Sequence, residues 1–69
     1  MDIAQATRVG LAIRSKRNVW LAGKLGVTGA YISYVCNGTK VPSVERVSQI
    51  AEAFGVDDST FVSWGQLGK

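Results

Sequence analysis

The sequence predicts an all-α fold, a compact domain of five short helices. Three observations carry that prediction. Apolar residues return at three- and four-residue steps through most of the 69 positions, the spacing that gathers them on one helical face. Gly26, Gly38 and Gly55 stand where these periodic segments end. A residue suited to cap a helix start stands before each segment: Asp2, Asn18, Thr28, Ser43, and then Asp57 or Asp58.

The first helix is expected from about Ile3 to Ser15, with Asp2 as its N-cap and a buried stripe of Ile3, Ala6, Val9 or Gly10, and Ile13. Gly10 lowers intrinsic helix stability by about 1 kcal/mol relative to alanine, so this helix must lean on tertiary packing. Lys16 and Arg17 form a short basic connection. Asn18 then caps a second helix, Val19 to Leu25, which must stop at Gly26, where the left-handed conformation costs a glycine little. Thr28 caps the third helix, which runs to about Cys36. Leu21, Ala22, Leu25, Val27, Ile32 and Val35 fall at helical spacing around Gly26, so these two helices share one buried seam. Asn37 and Gly38 end the third helix, Pro42 follows, and Ser43 caps a fourth from Val44 to Phe54. Its core face reads Val44, Val47, Ile50, Ala51 and Phe54. The fifth helix runs to about Trp64, with Phe61 and Trp64 one turn apart. Together with Val62 and Leu67 they offer more apolar surface than a last short helix needs for its own docking. One domain over residues 1–64 and a flexible tail or linker start over 65–69 complete the organisation.

Composition narrows the function. Hydrophobic residues make up 46% of the chain, yet no apolar run approaches the ~18 residues of a membrane span. The N-terminus lacks the basic-then-apolar layout of a secretory signal, so a cytoplasmic protein is expected. A single cysteine, Cys36, and no histidine leave no internal disulfide and no zinc set, and no cofactor is expected. Catalysis is not expected either: histidine is absent, the later carboxylates sit at helix starts or exposed positions, and no phosphate-cradling glycine loop is present.

The net charge of +3 matters less than its layout. From Ile3 to Val44 there are six basic residues, Arg8, Arg14, Lys16, Arg17, Lys24 and Lys40, and no acid. After that come Glu45, Glu52, Asp57 and Asp58 against Arg46 and Lys69. The glycine-hinged helix pair lies within the basic part, which favours a polyanion-binding face.

Ala22, Gly26 four residues later, Ile32 and Val35, and then Asn37-Gly38 resemble the helix-turn-helix of the lambda-repressor-like family, with the second and third helices forming the motif. Each position has its reason: Ala22 lets the helices approach, Gly26 turns the chain, and Ile32 and Val35 lock the second element onto the core. The resemblance extends more loosely from Ile3 to about Trp64. It implies that the third helix enters the major groove of double-stranded DNA by its N-terminal end, with Thr28, Gly29, Ala30, Tyr31, Ser33 and Tyr34 as base-reading candidates. It implies phosphate contacts at the start of the second helix, at Arg17 and Asn18, at Lys24, and in the loop of Asn37, Thr39 and Lys40. Trp20 either covers the first helix or turns its indole N–H to the DNA backbone. Tyr34, one turn after Ala30, is expected to face DNA, and Tyr31 to divide between packing and backbone contact. In related repressors the region after the fourth helix supplies a dimer contact, which makes Phe61, Val62, Trp64 and Leu67 the candidates here. The function implied is a phage or prophage repressor of Cro or CI type, a homodimer on a palindromic operator, with no membrane partner and no small-molecule ligand. The alternative is a protein-interaction module, such as an antitoxin-like partner, working through the Phe61 and Trp64 face. The chain is equally readable as a whole regulator or as a DNA-binding domain cut at its linker.

Overall fold

Among the described residues, four of the five helices begin at a side chain that folds back onto the backbone. In the computed structural model, which describes residues 2–66, α1 (Ile3–Arg14) starts at Asp2, whose Oδ1 accepts from the Gln5 amide at 2.9 Å. α3 (Gly29–Cys36) starts at Thr28, with Oγ1 accepting from the Tyr31 amide at 3.1 Å. α4 (Val44–Ala53) starts at Ser43, with Oγ accepting from the Arg46 amide at 3.2 Å. α5 (Asp58–Trp64) starts at Asp57, with Oδ1 accepting from the Thr60 amide at 2.7 Å. The Thr60 bonds hold the Asp57 carboxyl below its ordinary pKa. The exception is α2 (Asn18–Leu25), which follows Arg17 with no side-chain cap. Asn18 is therefore the first helical residue, not the cap expected of it, and its amide group turns elsewhere.

Gly26 ends α2 at φ +70°. Open space surrounds its missing side chain, so the backbone angle alone calls for glycine there. Ser15 ends α1 in the same left-handed region, at φ +55°.

The helices close around Leu21, Ile32, Ile50 and Phe61, all wholly buried. α1 lies on α3 and α5, α2 on α3 and α4, and α4 on α5. In α1 the inward stripe is Ile3, Ala6, Thr7, Gly10 and Leu11; Ile13, expected to be buried, is 51% exposed because Leu11 rather than Ile13 continues the seam. Buried Thr7 satisfies its hydroxyl by donating to the Ile3 carbonyl at 2.7 Å. In α4 the core face begins only at Val47: Val44 is 83% exposed, since the first residue of the helix projects past the edge of the core.

Phe54, at the end of α4, is the hub. Its ring lies 5.9 Å from Trp20, 6.1 Å from Phe61 and 5.8 Å from Trp64. Its carbonyl accepts from Arg14 twice, at 3.1 Å from Nε and 2.6 Å from a terminal nitrogen. Gly10 makes the assembly possible, because a Cβ there would stand 2.7–2.9 Å from ring atoms of Phe54 and Trp64. Phe61 and Trp64, expected to face a second copy, pack into this cluster: Phe61 is wholly buried and Trp64 is half-buried edge-on to both phenylalanines. Gly65 is buried, and a Cβ on it would meet the Asp2 carbonyl oxygen at 2.5 Å; the Gln66 amide bonds the Ser63 carbonyl at 3.1 Å. The rest of the expected tail, with the dimer candidate Leu67, lies outside the described residues.

Gly10→Ala should lower stability despite the better helix former. Overpacking against rings costs about 1–3 kcal/mol, which exceeds the ~1 kcal/mol of propensity gained. The exposed Gly23, with nothing within 4 Å of its missing side chain, is the control: Gly23→Ala should raise the midpoint of a thermal melt followed by circular dichroism, while Gly10→Ala lowers it.

Candidate nucleic-acid interface

α3 divides cleanly into two sides. Ile32 and Val35 are buried, at 0% and 1% exposure, against α1 and α2. Ala30, Ser33, Tyr34 and Asn37 are exposed, and their three- and four-residue spacing makes them one face. Thr28 is exposed at the leading end, and Gly29 is half-buried. Tyr31 is half-buried on a different side, with the Arg46 guanidinium 5.7 Å above its ring.

The start of α2 adjoins this face. Asn18 Nδ2 donates to Ser33 Oγ at 2.9 Å, so the carboxamide that does not cap α2 ties it to α3 instead. Val19 is 70% exposed, and its Cγ1 lies 3.5 Å from where a side chain on Gly29 would begin. Its outward position was legible in the helical wheel, where Leu21 and Ala22 define the buried seam, yet the sequence reading did not include it among the contact residues. The uncapped amides at this terminus, with Arg17 beside them, form a positive helix end open to solvent.

At the other end of α3 the chain folds into a compact turn. Asn37 Oδ1 accepts from the Thr39 amide at 2.9 Å, Gly38 takes φ +82°, and the Lys40 amide bonds the Tyr34 carbonyl at 3.1 Å. Thr39 and Lys40 are thereby held at the C-terminal edge of the exposed face.

The cations are less uniformly available than their sequence positions suggest. Arg8 donates to the Cys36 carbonyl at the end of α3 and, at 2.8 Å, to Gln5 Oε1. Arg14 is engaged on Phe54. The ammonium groups of Lys16 and Lys24 each stand 5.8 Å from the centre of the Trp20 ring, which itself stacks on Phe54 and so covers the end of α4. Of the phosphate candidates, the fold brings together Arg17 and Asn18 on one side of α3 and Asn37, Thr39 and Lys40 on the other; Lys24 stands apart, over Trp20. The bonds of Arg8 and Arg14 to distant carbonyls carry no mark in the sequence, where both simply count as charge. Burial pushes the Cys36 thiol above its ordinary pKa, against the smaller opposing pull of Arg8, and so keeps it protonated at neutral pH.

The family model described as helix-turn-helix matches residues 21–61, more than half of the chain, from within α2 into α5. The chain belongs to the lambda-repressor-like helix-turn-helix family. Its members are DNA-binding transcription regulators, and α2 and α3 are the paired helices of the motif. Comparison with curated proteins and with solved structures returned no match. The helix-turn-helix is framed by α1, which lies outside the matched span and still supplies the floor under α3. Among the described residues no helix is long and apolar enough to cross a membrane.

Thr28 sets where α3 begins. Thr28→Ala removes the acceptor for the Tyr31 amide and should cost about 1 kcal/mol, whereas Thr28→Ser should cost a few tenths at most. Urea denaturation of the three proteins checks both.

Proposed function

We propose that this helix-turn-helix protein is a sequence-specific transcriptional regulator of phage or prophage repressor type, binding a palindromic double-stranded DNA operator as a homodimer. The observation that carries the reading is the exposed face of Ala30, Ser33, Tyr34 and Asn37, bordered by the uncapped start of α2 at one end and Lys40 at the other. Placed in the major groove, that face sets Thr28, Gly29 and Ala30 leading. Their small size lets the backbone approach closely, and Ala30 and the Thr28 methyl suit thymine methyl groups. Ser33 arrives with its hydroxyl already held by Asn18, and Tyr34 supplies a phenol beside it. The amides of α2 and Arg17 grip one phosphate run, and Thr39 and Lys40 the other.

No arginine, glutamine or asparagine lies within α3 for forked contacts to guanine or adenine. Specificity per half-site is accordingly modest and leans on apolar contacts and DNA shape. A second copy then supplies the missing affinity, its recognition helix entering the groove about one turn, ~34 Å, away. Occupying the operator excludes polymerase, which asks for no effector and no cofactor. The alternative, a protein partner covering Phe61 and Trp64, draws on side chains that the chain's own core engages.

Selecting duplexes from a random pool and titrating them by fluorescence anisotropy at several salt concentrations tests the reading. A palindrome should emerge, and log affinity should fall with log salt by about 0.9 per phosphate contacted. A flat response would favour a protein partner. Lys40→Ala should weaken binding to every duplex alike and reduce the salt slope by about 1. Ala30→Glu should abolish binding to the selected duplex while leaving the thermal melt unchanged; undiminished affinity would mean that another face meets DNA.

A further inference from the structure

We propose that Asn18 is a positioning residue for base readout: by donating to Ser33 it commits the Ser33 hydroxyl to donate in turn, and so to choose guanine over cytosine at the base it faces. The proposal rests on the DNA-binding reading above and names a determinant of its specificity. Asn18 Nδ2 stands 2.9 Å from Ser33 Oγ, joining the first residue of α2 to the body of α3. A serine hydroxyl has one proton and two lone pairs. In three other helices such protons stay within the chain: Thr7 gives its own to the Ile3 carbonyl, Ser48 to the Asp58 carboxylate and Ser63 to the Thr60 carbonyl. Ser33 is the reverse case. It takes a proton from Asn18, and among the described residues none accepts its own.

Where that proton goes decides what the face can read. Ser33 lies with Ala30, Tyr34 and Asn37 on the exposed side of α3, and a hydroxyl whose lone pair is held by Asn18 turns its proton away from Asn18. Guanine meets such a donor with two major-groove acceptors, N7 and O6, and no donor of its own. Adenine and thymine each present one acceptor, whereas cytosine presents only its N4 amino group, so that hydrogen would face hydrogen. A serine without Asn18 would rotate its hydroxyl to suit any of the four bases. Asn18 removes that freedom. Because α3 carries no arginine, glutamine or asparagine for a forked contact, one oriented hydroxyl has a larger share of the discrimination than it would beside such a fork. The carboxamide retains a second N–H, which leaves positioning Ser33 and contacting a phosphate compatible.

Asn18→Asp reverses the bond. The variant has nearly the shape of the parent residue, and an acid at the first position of α2 suits the helix dipole, so the fold is kept. Its carboxylate accepts the Ser33 proton and leaves the hydroxyl only lone pairs to present. The duplex selected from the random pool is varied at each half-site position and titrated by fluorescence anisotropy with the parent, Ser33→Ala and Asn18→Asp. At one position the parent should prefer guanine to cytosine by roughly five- to tenfold, and 7-deazaguanine there, which lacks the N7 acceptor, should lose part of that preference. Ser33→Ala should flatten the preference at this position alone. Asn18→Asp should bind every duplex more weakly, its charge opposing the phosphates, and should invert the order at this position to favour cytosine. A bond that merely ties α2 to α3, or a Ser33 that contacts phosphate, would lower affinity for all duplexes and leave the order as it was. Either outcome would overturn the proposal, as would a guanine preference that survives Asn18→Asp. Nuclear magnetic resonance of the free protein reads the bond without DNA: of the two Asn18 carboxamide protons, the one bonded to Ser33 should lie downfield and move upfield in Ser33→Ala. That shift in a parent that binds no duplex would remove the DNA-binding reading and this proposal with it. Its absence in a parent that does bind duplex would remove this proposal alone.

Discussion

The fold depends on one packing constraint: the ring of Phe54 has to pack directly against the backbone of α1 at Gly10. Gly10 leaves the space that the ring occupies, where a Cβ would stand 2.7–2.8 Å from it, and the consequences spread through the chain. With Phe54 seated, Trp20 of α2, Phe61 and Trp64 of α5 close around it, so helices from both ends of the sequence share one aromatic cluster. Each such ring pair adds about 0.5–1.5 kcal/mol beyond simple burial. Arg14 completes the junction from above by satisfying the Phe54 carbonyl at the end of α4. A domain this small has few other ways to hold five helices together.

That junction also decides which charges face outward. Arg14 belongs to it, Lys16 and Lys24 are drawn over Trp20, and Arg8 secures the far end of α3. Arg17 and Lys40 stand at the two borders of the exposed face of α3, while Arg46 stacks on Tyr31 at a different side. The exposed face of α3 is thus a narrow neutral strip with a positive helix terminus and one lysine loop flanking it, and not the broad basic surface that the count of arginines and lysines suggests. In the function proposed above, such a strip reads duplex DNA by fit more than by attraction, and a second copy adds the missing affinity.

Much of this was legible in the sequence because short-range rules govern it. Caps and stops are local chemistry, so Asp2, Thr28, Ser43 and Asp57 mark their helices correctly, and Gly26 marks the turn. The motif of α2 and α3 depends on a few spacings around that turn, and the family match covers it. Periodicity was less dependable at helix ends. Ile13 and Val44 continue the apolar rhythm of α1 and α4 but lie where the helix has run past its neighbours, and a wheel diagram does not know where neighbours stop. Asn18 misled for a related reason: a good capping residue next to a partner helix chose Ser33 over its own backbone. Phe61 looked available because the sequence did not reveal that Gly10 leaves a socket for the aromatic cluster it joins. Long-range pairings such as Arg8 with the Cys36 carbonyl leave no periodic trace.

The aromatic residues are sorted by kind in a way that has a spectroscopic consequence. The chain has two tryptophans and two tyrosines. Both indoles stand within 6 Å of the Phe54 ring centre, while both phenols belong to α3, Tyr34 exposed and Tyr31 half-buried beneath Arg46. Indole emission therefore reports the integrity of the interior, and phenol absorbance and emission report α3. One unlabelled sample carries two optical channels, one for folding and one for what happens at the surface of α3.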